Sequence, residues 1–178
     1  MANPLRLVAS DGISLPAPVS EAARFEEFFE AESRTLYRRL CLVTGNRHEA
    51  EEVMQDAFIS VFERWDRVSA MENPTGYLYR TAFHAVNKRS RRTARALGHL
   101  VPSRHEVDEF AAADDRDSLR RALGRLTRRQ RTALVLTELL DYSSDEAAAM
   151  MGVRAVTVRV LASQARAAMR PSLEARDE

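Results

Sequence analysis

Between Asn73 and Arg104 the chain carries seven bases, Arg80, Lys88, Arg89, Arg91, Arg92, Arg95 and Arg104, and no acid. Wound as a helix at about 100° per residue, this stretch places Tyr77, Arg80, His84, Lys88 and Arg91 on one side and Leu78, Ala82, Ala85 and Val86 on another. Rings interleaved with cations suit single-stranded nucleic acid, because bases stack on the rings while arginine and lysine follow the phosphates. A plainer reading stays open, in which Tyr77 and His84 only shield the edges of a core.

A second stretch, Ala147 to Leu173, holds four arginines and no carboxylate. Its helical projection directs Val158, Leu161, Ala162, Ala165 and Met169 inward and Val156, Arg159, Val160, Ser163, Gln164, Arg166 and Arg170 outward. Arginine and glutamine bond base edges or phosphates, and an exposed valine can touch a thymine methyl, so this face suits duplex readout. Val156 and Val160 equally suit a protein surface.

The elements that must position these faces are all helical. Ser20 to about Val43 reads as a helix burying Phe25, Phe28, Phe29, Leu36 and Leu40, with Gly45 suited to its end. Asn46 with Glu49 caps a second helix, whose stripe Ala50, Val53, Met54, Ala57, Phe58, Val61, Phe62 and Trp65 packs antiparallel on the first. Asn73-Pro74 supplies a cap and a first-turn proline for a third helix running to about Arg95. Periodicity fails from Gly98 to Ala113, which marks a linker. Beyond it, helices are expected over Asp117 to Leu123 and Thr127 to Leu140. The tetrad Ser143-Ser144-Asp145-Glu146 is a capping box, opening a short helix to Met151. Gly152 turns the chain, and a longer helix runs from about Ala155 to Arg170 before Pro171. A short capped helix, a glycine turn and a longer basic helix together suggest helix-turn-helix.

The 178 residues have a formal charge of only +1, so attraction to nucleic acid must come from segregated charge rather than from the total. Acids outnumber bases ten to five between Glu21 and Glu63, opposite in sign to the helix that follows. One cysteine, Cys41, forbids an intramolecular disulfide and reads as core beside Leu40; a reducing, cytoplasmic compartment is expected. The first twenty residues, with Pro4, Pro16 and Pro18, read as a flexible leader, neither a signal peptide nor a membrane span. Six dispersed glycines make no phosphate cradle or dinucleotide fingerprint, and the Glu51-Glu52 pair lies on an amphipathic helix. His105, Asp108 and Glu109 have metal-like spacing but fall in the linker. No catalysis, metal, cofactor, small-molecule substrate or membrane contact is expected.

On these motifs the chain resembles the extracytoplasmic-function (ECF) sigma factors of bacterial RNA polymerase, members of the sigma-70 superfamily, over about Phe25 to Pro171. Ala50-Glu51-Glu52-Val53-Met54-Gln55-Asp56-Ala57-Phe58 looks like the region 2 helix that grips the polymerase clamp. Asn73-Pro74 through Arg91-Arg92 looks like the loop and helix that open and hold the minus-10 element. Leu126-Thr127-Arg128-Arg129-Gln130-Arg131 followed by Asp141 to Arg170 looks like region 4, which reads the minus-35 element as duplex. The resemblance implies an all-α chain: a leader over 1–19, a region 2 bundle over 20–96, a flexible acidic linker over 97–114, a region 4 helix-turn-helix over 115–172, and a tail over 173–178.

It further implies core-polymerase contacts, to the beta-prime and beta subunits, through Glu52, Gln55 and Asp56. Minus-10 contacts would come from Asn73, Tyr77, Arg80, His84, Lys88, Arg91 and Arg92, with Ser69 to Thr75 receiving an unstacked base. Minus-35 contacts would come from Thr157, Arg159, Val160, Ser163, Gln164, Arg166 and Arg170. The acidic stretch Glu106 to Asp117 would thread toward the RNA path. The chain departs from the family pattern at Val160, Leu161 and Gln164, where a Ser-Arg pair and a further Arg are common. It departs again at Arg154, which replaces a serine-like cap, and at His84, where Asn is frequent. Two other readings stay open: a sigma-like decoy that binds an anti-sigma factor, and a helix-turn-helix regulator, since Leu126 to Gln130 with Thr157-Val158-Arg159 also looks like a response-regulator output domain. The regulator reading lacks the alternating strands of a receiver domain.

Overall fold

The computed structural model describes residues 21–96 and 122–174, and among them every regular element is helical. The proposed leader, the linker with His105, Asp108 and Glu109, and most of the helix expected over Asp117 to Leu123 lie outside the described residues. The elements are α1 (Glu21–Thr44), α2 (Arg47–Phe62), α3 (Trp65–Ser69), α4 (Pro74–Ala96), α5 (Arg128–Leu134) running into a π-helical segment (Val135–Leu139), α6 (Ser144–Met151) and α7 (Ala155–Glu174).

Each boundary has a local cause. Gly45, at φ 68°, ends α1 in the left-handed region and donates its N–H to the Cys41 carbonyl at 2.9 Å. Asn46 follows at once as the cap of α2, its side chain accepting the Glu49 N–H at 2.9 Å. Asn73 does the same for α4, accepting the Gly76 N–H at 2.7 Å. A Cβ on Gly76 would stand 2.7 Å from that Asn73 side chain, so the cap requires glycine there. Ser143 and Glu146 form the expected capping box: the Glu146 N–H meets the Ser143 hydroxyl at 3.3 Å, and the Ser143 N–H meets the Glu146 carboxylate at 2.9 Å. Gly152, at φ 59°, closes α6.

Three expectations need correction. The stripe from Ala50 to Trp65 is not one helix, because α2 tightens at Glu63-Arg64, where the Arg64 N–H reaches back only to the Val61 carbonyl. The break carries Trp65 into α3 and onto Phe25 and Phe28, each with its ring centroid 5.2 Å away. Phe29 is not buried but 40% exposed, although Phe58 packs against it at 4.7 Å between centroids; the Trp65 ring lies instead on Phe25 and Phe28. The helix expected over Thr127 to Leu140 is regular only to Leu134. Its last turn is π-helical, with the Leu140 N–H bonded to the Val135 carbonyl at 3.1 Å. The wider turn keeps Val135 and Leu136 buried while Glu138 and Leu139 face out.

One apolar cluster runs through both halves of the chain. It joins Leu36, Leu40, Val43, Val53, Phe58, Tyr79 and Phe83 with Ala133, Leu136, Met150, Met151 and Val158. A smaller cluster, Ala122, Leu123, Leu126, Ala165 and Met169, packs against Leu42 of α1. Cys41 is buried, as its neighbours suggested, and burial pushes its thiol above the ordinary range. The α6 cap supplies a direct check. Ser143→Ala is expected to lower stability by about 1 kcal/mol in urea unfolding, because it strips one hydrogen-bond acceptor from the first turn of α6. The Ser143 bonds hold the Glu146 carboxyl below its usual range, so the part of the capping box made through that carboxylate is present at neutral pH and fades as acid protonates Glu146.

Candidate nucleic-acid interface

Helix α4 presents the cationic face that its spacing predicts. Arg80, His84, Lys88, Arg91 and Arg92 are exposed, while Leu78, Ala82 and Val86 are buried and Ala85 is half-buried. Tyr77 is half-buried against the core, so one edge of its ring remains available at the start of the cationic face. Asn73 is exposed, but its side-chain oxygen is committed to the Gly76 N–H. The loop before α4 is tied to α1 through the Thr75 hydroxyl, which donates to the Glu32 carboxylate at 2.9 Å. Tyr79 faces the opposite way. Its hydroxyl accepts from Arg39 at 2.6 Å, the same guanidinium lies 5.0 Å from its ring centroid, and burial pushes its phenol upward.

The acids of α2 are not free. Arg89, on the flank of α4, bonds the Glu52 and Asp56 carboxylates at 2.6 Å each. Sequence periodicity assigned Arg89 no role, yet it is the group that sets the direction of both acids. Gln55 makes only a long 3.5 Å bond to Glu51 and points outward. On the same helix Ile59 is 58% and Phe62 56% exposed, and Phe62 packs on Phe25 of α1 at 4.8 Å between centroids. This apolar edge next to Gln55 was hidden in the sequence because Phe62 and Phe29 also satisfy the core spacing. An acidic rim with an apolar edge suits a protein partner.

Helix α7 exposes Val156, Arg159, Val160, Ser163, Gln164, Arg166 and Arg170, with Thr157 half-buried at its start. Val160 is 50% exposed, an apolar group set among polar ones. Two of these residues are partly engaged: the Gln164 side chain accepts from Gln130 at 3.3 Å, and Arg166 donates to Glu138 at 2.6 Å. No side chain of Arg154 caps the helix; its carbonyl receives the Thr157 N–H at 2.9 Å.

The helix-turn-helix sits on α4. Asn87 donates to the Met151 carbonyl at 2.6 Å and Arg91 to the Gly152 carbonyl at 2.7 Å. Beside these bonds, an open groove of about 590 Å³ is lined by Arg80, Thr81 and His84 from α4 and by Asp145, Glu146, Ala149 and Met150 from α6. At the other end of the contact, Arg128 bonds the Glu49 carboxylate and reaches the Thr44 carbonyl at 3.5 Å. Arg131 is only 3% exposed, and its guanidinium packs against Gly45. Its buried Nε has no hydrogen-bond partner among the described residues, and burial followed by the charge of Arg128 lowers its proton affinity, against the pull of Glu49. Both arginines face the carbonyl end of α1, where the helix dipole favours cations. Their spacing of three residues beside buried Thr132 was the available signal, but the surrounding basic run masked it.

Among the described residues no three His, Cys, Asp or Glu side chains are grouped to hold a metal, and no helix is long and apolar enough to cross a membrane. The pattern that defines Sigma-70 region 2 matches residues 28–96, and the pattern for Sigma-70, region 4, matches residues 116–169. The RNA polymerase sigma-E factor of Streptomyces avermitilis is 27% identical over 159 residues, covering 88% of this chain and 89% of that one. The ECF RNA polymerase sigma factor SigM of Mycobacterium tuberculosis is 29% identical over 163 residues, covering 89% of this chain and 82% of that one. A similar solved structure, the sigma factor RpoE of Bartonella quintana in complex with the anti-sigma factor NepR, superposes with a TM-score of 0.62 at 20% identity, over 85% of this chain and 97% of that one.

The unequal state of the two buried arginines is testable. Arg131→Met, which fills the same space without a desolvated charge, is expected to leave the thermal midpoint unaltered or raise it. Arg128→Met strands the half-buried Glu49 and is expected to cost about 1–3 kcal/mol. Equal losses in both variants by thermal and urea unfolding would contradict this division.

Proposed function

The chain belongs to the sigma-70 family, in its extracytoplasmic-function group, and acts as an alternative RNA polymerase sigma factor; from that premise we propose how its surfaces divide the work. Region 2, over 20–96, and region 4, over 115–172, are separate working modules joined by the segment 97–114, with a leader over 1–19 and a tail over 173–178. The chain supplies no catalysis of its own. It lends promoter specificity to the polymerase.

The observation that carries this reading is the exposed row Arg80, His84, Lys88, Arg91 and Arg92 beside the half-buried ring of Tyr77. A melted minus-10 strand would stack a base on Tyr77 and run its phosphates along the cations, while the Asn73 loop receives an unstacked base. Gln55 and the acids Glu52 and Asp56, held in place by Arg89, would meet the beta-prime subunit, with Ile59 and Phe62 burying apolar area next to them. On α7, Arg159, Ser163 and Arg170 lie open to the duplex minus-35 element together with Val156, Val160 and the half-buried Thr157. Gln164 and Arg166 would exchange their bonds to Gln130 and Glu138 for DNA. Val160 would offer a thymine methyl contact in place of a polar one.

An anti-sigma factor is a second partner. The half-exposed Val156 and Val160 suit a protein surface, and the Bartonella quintana relative is held by one.

Reconstituted with core polymerase and fragments of the source genome, the chain is expected to yield promoter-dependent run-off transcripts. Arg80→Ala and Lys88→Ala should each reduce open-complex formation and flatten its logarithmic salt dependence by about 0.7 per lost phosphate contact. Arg159→Ala should weaken minus-35-dependent promoters. No transcript from any fragment would reject the sigma reading. Wild-type activity of Arg159→Ala together with capture of an anti-sigma factor and no capture of core enzyme would favour the decoy.

A further inference from the structure

The start of α5 and the exposed face of α7 are joined by two side-chain amides whose direction is fixed by chemistry. The Thr127 backbone N–H, which can only donate, meets the Gln130 side-chain oxygen at 2.9 Å, and the Thr127 hydroxyl donates to the same oxygen at 3.0 Å. With its oxygen held in this capping box, Gln130 has only its NH2 group to offer α7, and that group meets Gln164 at 3.3 Å. The Gln164 atom facing it must therefore be the side-chain oxygen. Gln164 itself is exposed, and among the described residues no group accepts from its NH2. Apolar packing holds both ends of the relay at this spacing: Leu126, beside Thr127, and Ala165, beside Gln164, are buried in the same small cluster. From this polarity we propose that Gln130 is a positioning residue that determines specificity, turning the Gln164 amide so that α7 presents a hydrogen-bond donor, and not an acceptor, to the major groove.

The proposal rests on α7 being the duplex-reading helix and deepens that assignment at one residue. In place of exchanging its bond for DNA, Gln164 keeps the bond to Gln130 and reads with its other end. A free glutamine pairs with adenine through both ends, its oxygen taking the N6 amine while its NH2 group meets N7. With the oxygen turned toward α5, that pairing is closed. Guanine offers the NH2 group two acceptors, O6 and N7, whereas cytosine offers only an amine, which sets donor against donor. The base that suits Gln164 is therefore guanine. The relay also turns on a single atom. Gln130→Glu replaces the NH2 group by oxygen and keeps the acceptor that Thr127 needs, since glutamate at the third helical position also completes a capping box. It presents an acceptor to α7, so the Gln164 NH2 group turns inward to meet it and the Gln164 oxygen faces out. The edge that suits Gln164 then becomes a donor, such as the N4 amine of cytosine.

The test lets holoenzyme, reconstituted from core polymerase and the full chain, select from a promoter library randomised over the minus-35 element, and the transcribed members are sequenced. The position read by Gln164 is the one whose preference disappears in Gln164→Ala. There the wild-type chain is expected to favour guanine over cytosine about tenfold, the scale of one good base contact. Gln130→Glu should reverse that ratio and leave the other positions as they are. Gln130→Ala, which frees the amide to take either direction, should bring the ratio near one and raise adenine. A role in stability alone would weaken every position together. A wild-type ratio at or below one, an unchanged ratio in Gln130→Glu, an even loss at all positions in the Gln130 variants, or no position that responds to Gln164→Ala would each overturn the proposal. Any of these alongside promoter-dependent transcription leaves the sigma reading standing. Absence of transcripts from every library member with the wild-type chain rejects both.

Discussion

The carbonyl end of α1 is the point on which the rest of the arrangement turns. Thr44 and Gly45 must end the helix, start α2 within two residues, and accept a second set of helices across the same spot. Gly45 meets the first need by adopting φ 68° and the last by lacking a side chain where the Arg131 guanidinium packs. Thr44 meets the second, its hydroxyl bonding the Asn46 backbone at both N–H and carbonyl. The dipole of a 24-residue helix then favours the two cations brought there, although their burial is costly. Leu36, Leu40 and Val43, just upstream, contribute to an apolar cluster drawn from both halves, and Leu42 leans on the second cluster.

From that junction the placement of the working surfaces follows. Helix α4 packs on α1 and α2 through Leu78, Tyr79, Ala82, Phe83 and Val86, which leaves its cations no option but the outer side. Arg89 is the exception, turned toward α2 by Glu52 and Asp56. It links the face proposed for DNA to the face proposed for polymerase through two bonds, so both are held on one rigid wedge. The π turn after α5 has a comparable effect in the second half. By admitting one extra residue it turns Glu138 toward Arg166 and keeps Leu136 in the core.

The cationic helix α4, proposed to hold phosphates, bonds the turn carbonyls of the helix-turn-helix through Asn87 and Arg91 and shares a groove with its first-turn acids, Asp145 and Glu146. The geometry therefore supplies a physical reason for capping α6 with acids that lies beyond helix stability alone.

Much of this was legible in the order of residues. Asn46 with Glu49, Ser143 with Glu146, and the glycines at 45 and 152 mark helix ends through bonds made within a few residues, and such bonds form whatever the remainder of the chain does. The faces of α4 and α7 were legible for the same reason, since a helical repeat sorts apolar from charged positions before any partner is chosen. The break before Trp65, the exposure of Phe29, the π turn, and the engagement of Glu52, Asp56, Arg128 and Arg131 depended on residues 33 to 86 positions away, or on how one packed stripe runs out against another. Sequence spacing determined which side chains share a face. Only packing in three dimensions decided which of those faces meet each other, because burial and charge pairing are settled by the partner across the gap and not by the neighbour along the chain.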